Sequence, residues 1–160
     1  MPYKKKILYG FSNIKVKKDD KELEVKGAIS VSVDMSINTV SANSLKQTFT
    51  WSKVQEARGQ MEVLSLTQEE QALIFGYELR KTNEETELII NDNFQFQEVE
   101  LSFERQRGDN KTILYKMYVV FEPSSMIEAN TISDSIEEDT TTLNFTVIKK
   151  DNVYYREIEK

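Results

Sequence analysis

The sequence contains no cysteine and no histidine, and it has only five glycines and two prolines among its 160 residues. The lack of cysteine rules out thiol nucleophiles, cysteine-ligated zinc and disulfide bonds, and it leaves the redox compartment undetermined. The lack of histidine counts against His-based triads, most zinc and iron sites, and the commonest general base near neutral pH. We therefore expect no catalytic residues, no metal and no cofactor, and we expect that the protein is not an enzyme.

Other chemical motifs are also missing. The five glycines are isolated from one another, so the sequence has neither a P-loop nor a dinucleotide fingerprint. The acidic residues within 134–139 lack EF-hand spacing and a turn glycine, which favours a solvated loop over a calcium site. A total of 27 acidic residues must bring some carboxylates close together, but the sequence singles out no glycosidase-like pair.

Charge and length limit the class of protein further. The chain has 21 basic and 27 acidic residues, a formal net charge of −6, so long-range electrostatics disfavour tight binding to nucleic acid. Its length fits one domain, and its composition of 39% apolar and 30% charged residues is that of a folded protein. No apolar run approaches membrane-spanning length, so we expect a protein of the cytosol with no membrane partner.

Two alternating stretches predict the centre of a sheet. In residues 113–121 every odd position is large and apolar, and in residues 142–147 Leu143, Phe145 and Val147 alternate with Thr and Asn. Both stretches are rich in β-branched and aromatic residues, which suit a pleated and half-buried surface. We expect these two strands to lie in the middle of the sheet.

The N-terminal third predicts a hairpin followed by a long strand. Residues 7–17 form a strand interrupted near Gly10, and a charged turn at 18–21 returns the chain through a second short strand. In residues 29–37 all odd positions are apolar and all even positions are serine or aspartate. This is the cleanest alternation in the sequence, and it predicts a strand with one buried face.

The alternation fails after residue 37. Residues 38–47 are polar and show no sustained period, so we predict a long loop, and long loops in compact domains are usually functional or disordered. Trp51 follows this stretch, and it is either a core or edge-strand aromatic or an anchor in an interface.

A single short helix is predicted at residues 68–75. Thr67 and Glu70 have the spacing of a capping box, and Gly76 is placed to end the helix. Two further hairpins follow, one turning at 82–86 and one turning at 108–110, and a last strand ends the chain. With many strands, frequent turns and no βαβ rhythm, the sequence predicts a mainly β fold: an antiparallel β-sandwich or barrel with one short flanking α-helix, as one domain over residues 1–160.

Three blocks of sequence resemble the major tail proteins, or tail tube proteins, of phages with long non-contractile tails. They are residues 9–14, YGFSNI; residues 59–78, through the helix; and residues 115–148, where a strand ends before Pro123 and a Glu-Asp-Thr-Thr-Thr-Leu segment leads into the next strand. The chain departs from that family in the long loop, where Val40, Ser41, Ala42, Asn43 and Ser44 replace a Tyr-Ala-Asp-Asn-like segment.

The resemblance implies a β-sandwich flanked by a short helix, and a structural virion protein that forms stacked, hexameric rings. The rings make the tail tube through which phage DNA passes without specific binding. The implied partners are copies of the chain itself and the tape measure, tail terminator and distal tail proteins. The implied location is the virion tail, after synthesis in the cytoplasm of the bacterial host.

Two groups of residues are candidates for roles in such a tube. A long assembly loop at about residues 38–50 would contact neighbouring subunits or rings; its candidate contacts are Val40, Ser41, Ala42, Asn43, Ser44, Leu45, Lys46 and Trp51. The acidic wet face of one strand would give the lumen a negative charge that keeps DNA from adhering; its candidates are Glu98, Glu100 and Glu104.

Two other interpretations remain open. The chain is also compatible with the tube protein of a secretion system or a contractile injection system, which shares this architecture. A different class is a lone β-barrel that holds a small apolar ligand in its mouth.

Overall fold

The computed structural model describes residues 8–43, 48–91, 95–122 and 140–160. Within these residues the chain forms ten strands and one helix. The elements are β1 (Leu8–Lys18), β2 (Lys21–Glu24), β3 (Ala28–Asn43), β4 (Thr48–Val63), α1 (Gln68–Phe75), β5 (Glu78–Lys81), β6 (Thr86–Ile89), β7 (Glu98–Arg107), β8 (Thr112–Glu122), β9 (Thr141–Ile148) and β10 (Tyr155–Glu159). The predicted fold class, mainly antiparallel β with one short helix, is confirmed.

Eight strands form one antiparallel sheet. Its order is β2-β1-β7-β8-β9-β4-β3, and β10 also pairs with β8; β5 and β6 form a separate two-stranded sheet. The strand β8 lies in the middle of this order with β9 beside it, which confirms the two predicted central strands. The predicted hairpins β1–β2, β5–β6 and β7–β8 are confirmed as well.

The strands β9 and β10 act as one interrupted strand along β8. Ile148 pairs with Tyr118, and the next residue of β8, Met117, pairs with Tyr155. The six residues 149–154 therefore loop out between two adjacent positions of the ladder. Within this loop, Lys150 and Val153 exchange backbone hydrogen bonds around Asp151 and Asn152, which have positive φ values of 50° and 64° as a type I′ turn requires.

One face of the large sheet carries the core. Directly paired residues share a face, and the pairs Val99–Val119, Val119–Val147 and Phe121–Phe145 place the largest apolar side chains together. The fully buried members of this core face include Val16, Met61, Leu101, Val119, Phe121, Leu143 and Phe145. We call the opposite side of the sheet the outer face.

The sheet curls so that its two halves approach each other. The backbone N–H of Val25 donates to the carbonyl of Ile14, and the N–H of Leu64 donates to the carbonyl of Gly27, which ties the β2–β3 turn to β1 and to the end of β4. Helix α1 buries Leu73, Ile74 and Phe75 against the core. The core is therefore enclosed by a curved sheet and by the helix.

The helix ends are fixed as the sequence predicts. The Thr67 hydroxyl accepts from the Glu70 N–H at 3.1 Å, and the Glu70 carboxylate accepts from the Thr67 N–H at 3.1 Å, which completes the capping box. Gly76 has a φ of 79° and its N–H donates to the Ala72 carbonyl. The side chain of Gln97 donates to the Leu73 carbonyl, an additional C-terminal cap that the sequence did not reveal.

The predicted interruption of β1 near Gly10 is a pair of irregularities in the ladder. The register with β7 shifts between Tyr9 and Ser12 and again between Ser12 and Lys15. Gly10 and Asn13 have φ values of 75° and 52° there. The bulges let the strand bend with the curl of the sheet.

The predicted long loop at residues 38–47 is wrong for residues 38–43. These residues extend β3 to Asn43, where the ladder to β4 ends with Asn43 opposite Thr48. Cross-strand pairing with the Thr- and Phe-containing start of β4 holds them in a strand, although the hydrophobic period is lost. Residues 44–47 lie outside the described residues, and residues 48–50, the end of the assembly loop predicted at about 38–50, belong to β4.

Candidate interaction surface

The hairpin of β3 and β4 projects beyond the rest of the sheet. β4 pairs with β9 only from Arg58 to Val63. Along the remainder of β4, β3 is the one paired strand among the described residues. The ladder is irregular where the projection begins, because Ser36 pairs with Glu56 and Ile37 with Val54. We call residues 37–43 and 48–54 the arm. Seven residues of extended strand span about 23 Å.

Among the described residues, the arm is a two-stranded ribbon with no third strand beside it. Its ladder continues through Thr39 and Ser52, whose hydroxyl oxygens are 3.1 Å apart. An isolated two-stranded hairpin is marginally stable in water at best. The arm therefore depends on its attachment at the base or on a surface that covers it.

The loop at residues 149–154 joins the base of the arm to the outer face. The Tyr154 hydroxyl donates to the Val54 carbonyl at 3.3 Å. At the other end of the loop, the Lys150 ammonium forms an ion pair with Glu98 and lies 4.1 Å from the centre of the Tyr118 ring. The hydrogen bond to Glu98 raises the pKa of Lys150. This loop thus fixes the point from which the arm leaves the body.

The strand β3 exposes much of its apolar face. The register places Val31, Val33 and Met35 on the core face, opposite Met61, Gly59 and Ala57. Val31 and Val33 are half-buried, but the exposed fractions of Ile29, Met35 and Ile37 are 45%, 38% and 61%. Among the described residues, no layer covers these side chains, although their alternation is that of a buried face.

An apolar groove of about 490 Å³ lies between β3 and the opposite side of the curled sheet. Its walls come from β1, β3, β7, β8 and β10. Its lining includes Phe11, Val33, Met35, Phe103, Tyr115 and Tyr155. The Phe103 ring is stacked on Tyr115 with centroids 5.0 Å apart, and it also contacts Phe11. Arg105 is the one charged residue among the described residues that line the groove, and its guanidinium donates to the Leu8 carbonyl at 3.4 Å.

The predicted contact residues fall on the arm or outside the described residues. Val40, Ser41, Ala42 and Asn43 form the end of β3, and Trp51 lies in β4, where it pairs with Val40. Ser44, Leu45 and Lys46 lie outside the residues that the structure describes. The structure thus brings five of the eight predicted positions together on one ribbon. Their role in contacts between copies stays a prediction.

The three predicted lumen residues share the outer face of β7. They are half-buried and each lies close to a polar group. Glu98 pairs with Lys150, Glu104 accepts from the Asn13 amide at 2.6 Å, and Glu100 lies opposite Lys17 in the ladder. The acidic row therefore has two lysines and one amide as neighbours, and its exposure to a lumen stays a prediction.

Sequence reasoning missed the groove and the exposed face of β3. Alternation revealed the apolar side of residues 29–37, but it does not reveal whether another layer covers that side. Phe11, Phe103 and Tyr155 lie on β1, β7 and β10, which are neighbours through β8, and the curl of the sheet brings β3 opposite them. One feature of the sequence pointed toward this exposure. The apolar alternation of residues 29–37 is long, and the sequence predicted no second strand pair that would pack against it.

The described residues contain no group of three or more aspartate and glutamate side chains arranged to hold a metal ion. Within the same residues, no helix has the length and apolar character needed to cross a membrane.

Comparisons with known proteins gave structural similarities but no match in sequence. No protein-family model matches the sequence, and no curated protein matches it. The chain is similar to a chain in the cryo-EM structure of an extracellular contractile injection system, the PVC sheath-tube complex in its extended state. The identity is 12% and the TM-score is 0.46, over 92% of this chain and 88% of that chain.

Proposed function

We propose that this protein is a structural subunit that assembles with copies of itself into rings, which stack into a tube. The observation that carries the proposal is the edge strand β3. It is 16 residues long, Asp34 is its single charged residue, and no strand of the described residues lies along its far edge. A second copy of the chain is the partner that would complete this edge.

The other sheet edges are built differently, and the contrast supports the proposal. β2 has four residues of which three are charged, and β10 has five of which three are charged. Short strands and charged side chains are the usual means by which soluble proteins prevent edge-to-edge pairing. The long and nearly uncharged β3 lacks these features, and its apolar face is exposed. This combination is the one expected for an edge that an assembly covers.

The arm gives the contact a direction. It leaves one side of the body, and in this proposal a different surface of another copy receives it. Such head-to-tail contacts close into rings when the rotation closes, and they extend without limit when it does not. A ring that presents arms toward its neighbour can do both, closing within its plane and stacking along its axis.

The sequence resemblance supplies the specific form of the proposal. It favours the tail tube of a phage with a long non-contractile tail, in hexameric rings, with the tape measure, tail terminator and distal tail proteins as partners. Each copy adds a net charge of −6 to the assembly. A channel through such an assembly repels DNA, so DNA slides through it without being held. In this proposal the protein is located in the virion tail and has no catalytic role.

Two alternatives have specific support. The tube of a secretion or contractile injection system shares the proposed architecture, and the partners found on isolation from the native source distinguish it from a phage tail. The groove of about 490 Å³ favours a small-ligand-binding protein. A ligand retained on purification of a monomer, detected by native mass spectrometry, would favour that function.

Negative-stain electron microscopy of concentrated protein tests the proposal. Wild-type protein is expected to form rings or tubes. Ile37→Lys places a charge on the exposed apolar face of β3 and is expected to abolish them, while Tyr9→Lys is a matched control at an exposed residue of β1. Particles of monomer size at every concentration of wild-type protein would contradict the proposal.

A further inference from the structure

Two exposed aromatic or aliphatic side chains lie at the end of the molecule that contains the helix. Ile90 and Phe96 have exposed fractions of 46% and 58%. Ile90 follows Ile89, which pairs with Glu78, and the backbone oxygen of Gln95 is close to Gly76. Both residues therefore lie beside residues 76–78, where helix α1 ends. We call Ile90 and Phe96 the knob.

The knob and the groove lie at opposite ends of β7. The knob precedes the first residue of this strand, Glu98, and the groove is lined by Phe103 and Arg105 near its other end. Six residues separate Gln97 from Phe103, a distance of about 20 Å along a strand. A contact between the knob of one copy and the groove of another is therefore a contact between two different surfaces.

The two ends also differ in charge. Residues 68–90, which contain the helix and the β5–β6 hairpin, have six carboxylates and two cations. Residues 105–111 and 155–160, at the groove end, have five cations and three carboxylates, although the whole chain has a net charge of −6. The acidic end of one copy thus complements the basic end of another, which favours head-to-tail over head-to-head encounters.

We infer that the groove is a docking site for a second copy of this chain, whose Ile90 and Phe96 enter it. The inference rests on the proposed self-assembly and names the surfaces that make one of its contacts. The groove volume lies within the range of about 300–1,000 Å³ found for pockets that bury whole ligands, so an aromatic ring and an aliphatic side chain fit in it together. The rings of Phe103 and Tyr115 offer the Phe96 ring an aromatic wall.

The absence of cysteine allows a direct test by crosslinking. Phe96→Cys is placed in one preparation and Met35→Cys in another, because Met35 lines the groove and is 38% exposed. The two variants are mixed at equal concentration and oxidised. We expect a disulfide-linked dimer in the mixture and little or none in either preparation alone.

Two further variants control the result. Tyr118→Cys has the same exposed fraction of 38% but lies on the outer face, and it is expected not to crosslink to Phe96→Cys. Thr39→Cys tests whether the arm occupies the groove. A crosslink from Met35→Cys to Thr39→Cys, with none to Phe96→Cys, would overturn the inference in favour of the arm.

Assembly measurements separate this inference from the proposed function. Phe96→Ser is expected to raise the concentration needed for assembly at least about tenfold, as loss of an aromatic anchor does in other interfaces, and to leave the far-UV circular dichroism spectrum unchanged. Rings or tubes that form normally from Phe96→Ser, with no crosslink to Met35→Cys, would refute the knob and groove contact and leave self-assembly intact. A crosslinked dimer without any larger particle would support the contact and refute the tube.

Discussion

Gly59 of β4 is paired with Phe145 of β9, and the Phe145 ring occupies the space that a side chain at residue 59 would need. A Cβ at this position would overlap the ring and the backbone oxygen of Ser32 on the other neighbouring strand. Phe145 in turn packs against Phe121 of β8 with ring centres 5.3 Å apart. The close approach of β3, β4 and β9 at this point therefore requires glycine at residue 59.

The first prediction is that Gly59→Ala destabilises the fold. Phe145 is 1% exposed, so the added methyl group overpacks the core and lowers the free energy of unfolding by about 2 kcal/mol. Urea denaturation followed by far-UV circular dichroism measures the change. Gln60→Ala, at the exposed neighbouring residue, is the control and should change it by no more than about 0.5 kcal/mol. Equal midpoints for Gly59→Ala and wild type would contradict the packing described.

The second prediction concerns the pH dependence that Glu70 confers. Burial raises the pKa of Glu70 above its ordinary value of 4.5, against the opposing effect of the Thr67 N–H that it accepts. Because the folded pKa is the higher one, the contribution of Glu70 to stability is complete below pH 4.5 and decreases as the pH rises through the folded pKa.

Glu70→Gln tests this dependence, because glutamine keeps the capping hydrogen bond but cannot ionise. The free energy of unfolding, measured by urea titration at pH 4 to 7, should fall less with rising pH in Glu70→Gln than in wild type. Glu69→Gln is the control at the adjacent helix position, where Lys81 lowers the pKa instead. Parallel curves for wild type and Glu70→Gln would show that Glu70 does not supply the effect.

The third prediction concerns the opposite case, Asp109. Its hydrogen bonds with Arg107, at 2.8 and 2.9 Å, lower the pKa of Asp109 from 3.8 to about 2. Its contribution to stability is therefore present above pH 3.8 and lost as the pH falls through about 2. Arg107 also pairs with Glu159, so the same guanidinium ties the β7–β8 turn to β10.

Asp109→Asn should remove most of this acid sensitivity. Thermal unfolding by circular dichroism between pH 5 and 2 should give a smaller decrease in melting temperature for Asp109→Asn than for wild type. Asp151→Asn, in the exposed turn between β9 and β10, is the matched control and should behave as wild type. The same steep decrease in all three proteins would argue against the Arg107 contact in solution.

The fourth prediction concerns Tyr154 and the base of the arm. Tyr154→Phe removes the hydroxyl that donates to the Val54 carbonyl, a hydrogen bond that typically contributes about 1 kcal/mol. Because a two-stranded ribbon is only marginally stable by itself, this loss should increase local opening of the arm more than global unfolding. Amide hydrogen exchange of residues 48–54 should accelerate about fivefold while exchange in β7 and β8 is unchanged. Acceleration equal across the whole sheet would contradict a local role.

Local sequence signals predicted much of this fold for physical reasons. The capping box of Thr67 and Glu70 and the glycine at residue 76 act within one turn of helix, so they are visible without tertiary structure. The central strands alternate because one face of each is covered, as in Phe121 and Phe145. The turn at residues 108–110 has the residue types that such turns need.

The arm and the groove were not predicted because neither depends on local pattern. Residues 38–43 show no hydrophobic period, and it is pairing with residues 48–53 that makes them a strand. The groove depends on how far the sheet curls, which is a property of the register shifts in β1 and of packing across strands. Likewise, the apolar alternation of β3 correctly predicted which side chains share one face of the strand, but it did not predict that Ile37 is exposed.

The central claim is that β3 is completed by a second copy of the chain. Hydrogen exchange of its backbone amides, measured below and above the concentration at which particles assemble, tests this most directly. About half of the amides in an edge strand point away from its one neighbour. The account predicts that those amides of β3 exchange rapidly in the monomer and become protected on assembly, while protection in β8 is constant. Assembly that leaves β3 exchange unchanged would contradict it.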